Sequence, residues 1–148
     1  KKVIISMVSI FATAITILGA YLFVFYHETV IPYSEDLMKI EKQHHLLVSK
    51  YFGKSYATVH ATEPIPLKID GEEKNISFIY YTKTIAHSHS INLIHNEKGQ
   101  NEQVYIFPLT EIEKVDAVYY VDYDMKNILE KKESWNSVLQ RAKLIWEK

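Results

Sequence analysis

VIISMVSIFATAITILGAYLFVFY, from Val3 to Tyr26, is a run of 24 residues without a charge, and it divides the chain in two. At about 1.5 Å per residue, a helix of that length spans roughly 36 Å, enough for a hydrocarbon core of about 30 Å with some tilt. Ser6, Ser9, Thr13 and Thr16 supply its small polar side chains. In a helix their hydroxyls bond back to carbonyls one turn earlier, so they are tolerated. Tyr21, Phe23, Phe25 and Tyr26 crowd the far end, where an aromatic belt meets the lipid–water boundary. Lys1 and Lys2 precede the run, and no cation follows until Lys39. The positive-inside rule then predicts a single-pass protein of the cell membrane, with a cytoplasmic N-terminus and an extracytoplasmic remainder.

Three other readings of the run are weaker. A cleaved signal peptide needs a short apolar core and small residues before the cut. Ala12-Thr13-Ala14 has that form, but cutting there leaves ITILGAYLFVFY as the new end, and a cut after Ala20 places the bulky Leu18 two residues earlier. A lipid-modified cysteine is excluded because the chain has none. A buried core helix would be shorter or carry a polar stripe. The predicted organisation is an uncleaved transmembrane helix over 1–26, a connector over 27–33 and an extracytoplasmic domain over 34–148.

Composition bounds that domain. The chain has 148 residues, 47% apolar and 24% charged, which excludes a wholly disordered protein and suits one domain plus an anchor. A net charge of -1 lacks the cationic excess of a nucleic-acid binder. Without cysteine there is no disulfide framework, Cys-ligated zinc or thiol catalysis. Arg141 is the single arginine among 17 cations, and Ile, Asn and Tyr are abundant, a bias expected of an AT-rich bacterial genome. Residues 27–148 carry 15 cations against 18 acids, so nothing draws them to anionic lipid.

The predicted fold is α+β. Ser34 suits an N-cap, and Leu37, Ile40, Leu47, Val48 and Tyr51 recur at helical spacing, giving one amphipathic helix over 34–52 that stops at Gly53. From Tyr56 to Val121 the period becomes two, giving four or five strands. Pro64 and Pro66 interrupt or confine the stretch 57–69 to an edge, and Asp70-Gly71 opens a turn somewhat longer than two residues. Strands follow at 76–83, 90–95, 104–107 and 115–121. Their close spacing predicts an antiparallel sheet. Ile128, Trp135, Val138, Leu139, Ala142 and Ile145 form a stripe on a closing helix over 124–148, with a local break at Ser134. This succession of helix, strands and helix is similar to the element order of cystatin-like and NTF2-like folds, from which no activity follows.

Chemistry is sparse. The glycines are scattered singly, and no G-x-S-x-G or H-E-x-x-H occurs. Glu72-Glu73 and Glu111/Glu113 sit beside lysines as solvated pairs. In AHSHSINLIH, His87 and His89 on one strand would stand about 7 Å apart on one face, a metal-ligating spacing with His60 as a third ligand. Solvated strand-end histidines are the competing account. Eleven tyrosines include the pairs Tyr80-Tyr81 and Tyr119-Tyr120. Alternation sends one of each pair to the core and the other to the second face, where exposed tyrosines would make a protein-binding surface. The expected function is therefore a membrane-anchored, protein-binding accessory, assembly or immunity-type module. The alternative is an anchored domain binding a metal or small ligand through the histidines. No catalytic residue, cofactor or nucleic acid is expected; the expected partners are the bilayer, through residues 3–26, and a protein at the membrane.

Overall fold

Lys2–Tyr26 forms one continuous helix, α1, long and apolar enough to span a membrane. Thr13 Oγ1 and Thr16 Oγ1 donate to the carbonyls of Ser9 and Ala12, each at 2.9 Å. The apolar window of α1 is not buried by any of the described residues. The computed structural model describes residues 2–44, 46–53, 55–88, 103–106 and 113–148.

The body is a mixed α+β arrangement, rich in sheet. Its centre is β6 (Glu72–Lys83), twelve residues bonded on both edges. On one edge lie β5 (Ile65–Ile69) and β4 (Thr58–Ala61), in succession along β6. On the other lie β8 (Ala117–Tyr120) and β1 (Thr29–Val30), and β9 (Lys143–Glu147) extends the sheet beyond β8. A second sheet has the order β2 (Met38–Gln43), β3 (Leu46–Tyr51), β7 (Gln103–Ile106). The helices are short: α2 (Ile85–Ser88), α3 (Met125–Leu129) and α4 (Trp135–Gln140).

Both edges of β6 are paired, and separate packed layers cover its two faces. Ile79 and Tyr81 join Val118 and Tyr120 against Met38, Leu47 and Tyr51 of the second sheet. Ile76 and Phe78 join Ala117, Val121 and Val138 on the face that carries α3 and α4. Asp70-Gly71 connects β5 to β6 with both φ angles positive, 53° and 87°, and Ile69 pairs with Glu72. The turn thus has two residues, shorter than expected, and its backbone matches the twist of the strands. Pro66 lies in β5, whose one described partner is β6, so its missing N–H faces an open edge.

Five expectations are corrected. The helix over 34–52 is a hairpin. The Ser34 carbonyl accepts from Leu37 and Met38, closing one turn, and the chain then extends into β2. His44 adopts φ 57° at a turn where Gln43 pairs with Leu46. Met38, Ile40, Leu47, Ser49 and Tyr51 share the inner face of the hairpin, so its apolar positions satisfied two periods at once. The helix over 124–148 is α3, α4 and β9. Asp124 caps α3 and Ser134 caps α4, Lys131 turns at φ 57°, and Ile145 lies on a strand. The sheet is not wholly antiparallel, since β6 and β8 run parallel. The connection between them passes through β7 in the second sheet. Nine strands among the described residues replace the expected four or five. The segment 27–33 contains β1 and buried Ile31. The element order behind the cystatin-like and NTF2-like comparison is therefore absent. The expected strand at 90–95 lies outside the described residues.

Candidate functional site

Strand alternation on β6 sorts the tyrosines. Tyr81 faces the second sheet, stacked on Tyr51 with centroids 5.3 Å apart, its hydroxyl 2.6 Å from Ser49 Oγ. Tyr120 is buried beside it. Its hydroxyl donates to the Ile31 carbonyl and accepts from the Tyr81 N–H at 3.1 Å. Burial pushes the Tyr120 phenol up to about 12. Both residues are internal struts.

Tyr80 and Tyr119, the other members of the two pairs, share the opposite face and are half-buried. They belong to a row of rings along that face. His60 on β4 stacks on Tyr80 at 4.6 Å and 11°. Tyr80 meets Tyr123 edge-on at 5.1 Å, and Tyr123 meets Trp135 edge-on at 5.4 Å. Trp135 stacks on Phe78 at 5.4 Å and 8°, and Phe78 leans on Tyr119 at 6.4 Å. The register His60↔Tyr80 and Phe78↔Tyr119 fixes the row from the sheet side, and the capped start of α4 supplies Trp135. Burial raises the Tyr80 phenol, with Glu28, Asp122 and Asp124 adding to the effect. Half-buried rings with polar tips can take up a partner's apolar surface and bond to it along the rim.

At one end of the row His60 joins Glu28, the second residue beyond α1. His60 Nε2 lies 3.3 Å from Glu28 Oε2 and 3.1 Å from Thr82 Oγ1, and Thr82 donates to Glu28 at 2.9 Å. A hydrolytic relay would need the carboxylate on one imidazole nitrogen and the hydroxyl on the other. Here both meet the same nitrogen. The trio is a clamp that fastens the exit of α1 to β4 and β6.

His87 lies elsewhere. It is exposed on α2, with its N–H directed to Thr84 Oγ1 and its ring edge-on to Tyr56 at 6.3 Å. Because Ile85–Ser88 is helical, the strand spacing assumed between His87 and His89 does not apply at His87. His89 lies outside the described residues. Among the described residues no group of three ligating side chains could hold a metal ion. A shallow open concavity between Ile128 and Trp135 is lined also by Lys131, Lys132, Glu133, Ser134 and Ser137.

Glu28, Tyr123 and Trp135 were not among the expected site residues. Trp135 was legible as an apolar anchor and Tyr123 as one tyrosine among many, but their meeting depends on α4 folding back over Phe78. No protein-family model, curated protein or solved structure matches this chain.

Proposed function

We propose that this chain is a single-pass membrane protein whose extracytoplasmic body binds a protein partner through the ring row His60–Tyr80–Tyr123–Trp135. The carrying observation is that row, half-buried side chains in mutual contact on one face of the body. Aromatic side chains supply much of the energy of protein interfaces, and they do so best when already held in place by neighbours. The orientation is supported by Lys1-Lys2 before the uncharged run of α1 and by the absence of cations between Tyr26 and Lys39.

A photoreactive phenylalanine analogue at Asn136, exposed beside Trp135, tests the binding role in native membranes of the source cell. The expected result is one discrete crosslinked species that Tyr80→Ala abolishes while the full-length chain stays folded and membrane-bound. Crosslinking that is diffuse, or unchanged by Tyr80→Ala, counts against the row as an interface. Orientation is read separately. Protease added outside intact spheroplasts should digest the body, and full protection until lysis would refute an extracytoplasmic placement.

A further inference from the structure

The chain between α1 and the sheet is very short. α1 ends at Tyr26 and β1 begins at Thr29, paired with Lys83. Three residues reach at most about 10 Å, and the headgroup layer of one leaflet is roughly 5–8 Å deep. The connection is also stiff. His27 stacks on Phe23 at 4.8 Å, Glu28 is held by Thr82 and His60, and α2 comes within 8 Å of α1. A helix of 25 residues is about 37 Å long, so its last turn already leaves the hydrocarbon.

The surface at that end of the body carries exposed apolar side chains. Val30, Phe52 and Tyr56 are 43%, 39% and 46% exposed; the other exposed large apolar side chains described on the body, Met125, Leu129 and Leu144, lie on α3 and β9. Val30 pairs with Thr82. Tyr56 stands two residues before Thr58, which pairs with the same Thr82 from the other edge, and its ring meets His87 of α2. Phe52 follows Tyr51, which stacks on Tyr81, the residue whose carbonyl holds the Ile31 N–H. Tyr and Phe with a polar rim of His87, Lys83 and Glu28 match the chemistry of the lipid–water boundary.

We propose that this end of the body, presenting Val30, Phe52, Tyr56 and His87, is a second membrane contact seated in the headgroup layer of the leaflet that α1 leaves. The occupant is a lipid surface, because the tether holds these side chains within its depth. The rim mixes His and Lys with Glu, so the contact does not require anionic lipid. The inference rests on the membrane-anchored reading of α1.

The absence of cysteine makes nitroxide labelling free of background. The full-length chain in phosphatidylcholine vesicles is labelled singly through Tyr56→Cys, Thr58→Cys, Glu72→Cys or Ala12→Cys, and accessibility to a water-soluble nickel chelate and to oxygen is compared. Glu72 begins β6, about 36 Å along the strand from Lys83, and serves as the aqueous reference. Thr58→Cys keeps Tyr56 in place. The expected result is nickel accessibility severalfold lower at 56 and 58 than at 72, with residue 12 shielded from nickel and open to oxygen. Labels at 56 and 58 as accessible as 72, with residue 12 in lipid, overturn this contact alone. An aqueous label at residue 12 overturns the anchored reading and this contact with it.

Discussion

A single hydroxyl ties three strands together at Tyr120. It donates to the carbonyl of Ile31, just past β1, and accepts the N–H of Tyr81 on β6, from its own place on β8. Tyr120→Phe should cost about 1–3 kcal/mol in urea unfolding, because two buried backbone groups lose their partner. The same burial predicts an alkaline weakness. The phenol ionises near its ordinary value of about 10 in the unfolded chain and only at about 12 in the folded one. Stability from this group is therefore complete below pH 10 and falls as pH rises towards 12, by up to roughly 3 kcal/mol. Unfolding curves across that interval should show the fall, and Tyr120→Phe should flatten it. Trp135, stacked on Phe78 and edge-on to Tyr123, should cost about 3 kcal/mol on replacement by Ala; a loss under about 1 kcal/mol would mean the stack carries no weight.

Among the elements, the turn at Asp70-Gly71 is the sharpest local determinant. A Cβ at Gly71 would meet nothing within 4 Å, but its φ of 87° disfavours any side chain. Gly71→Ala should therefore cost about 1–2 kcal/mol through the backbone alone, read as a lower urea midpoint with an unchanged slope. This turn and the breaks at Pro64 and Ser134 were legible because each depends on the conformation of one or two residues. The helix expected over 34–52 failed because Ile40, Leu47 and Tyr51 fit both the helical and the strand period, and only cross-strand contacts such as Glu41 with Lys50 at 3.5 Å separate them. The C-terminal strand failed for a related reason. Ile145 continues the helical stripe in sequence, yet the open edge of β8 captures it. Of the candidate site, the sorting of the tyrosines within each pair follows from alternation, whereas the His60–Glu28 clamp joins residues far apart in the chain that no local pattern connects.

For the whole molecule, the body begins earlier than its apolar patterning suggests. Thr29 and Val30 pair with β6, and Ile31 is buried in the core. A fragment over 27–148 should fold cooperatively without detergent. A fragment starting at Ser34 should lose β1, the Ile31 acceptor of Tyr120 and the Glu28 clamp, and should unfold at markedly lower urea. Equal urea midpoints for the two would show that β1 adds nothing.

The central position of β6 also sets the order in which the chain can assemble. Its hairpin with β5 closes over two residues and can form within microseconds. Its other edge waits for partners far away along the chain, since Thr29 bonds Lys83 across 54 residues and Asn75 bonds Asp116 across 41. Such high contact order makes completion slow compared with local helix or hairpin formation. During synthesis the strand that becomes best protected in the native body is therefore present before the segment that covers it. A ribosome stalled before Ala117 would leave the Ile76–Ile79 stretch of β6 with an unpaired edge, the kind of template that recruits strands from other chains.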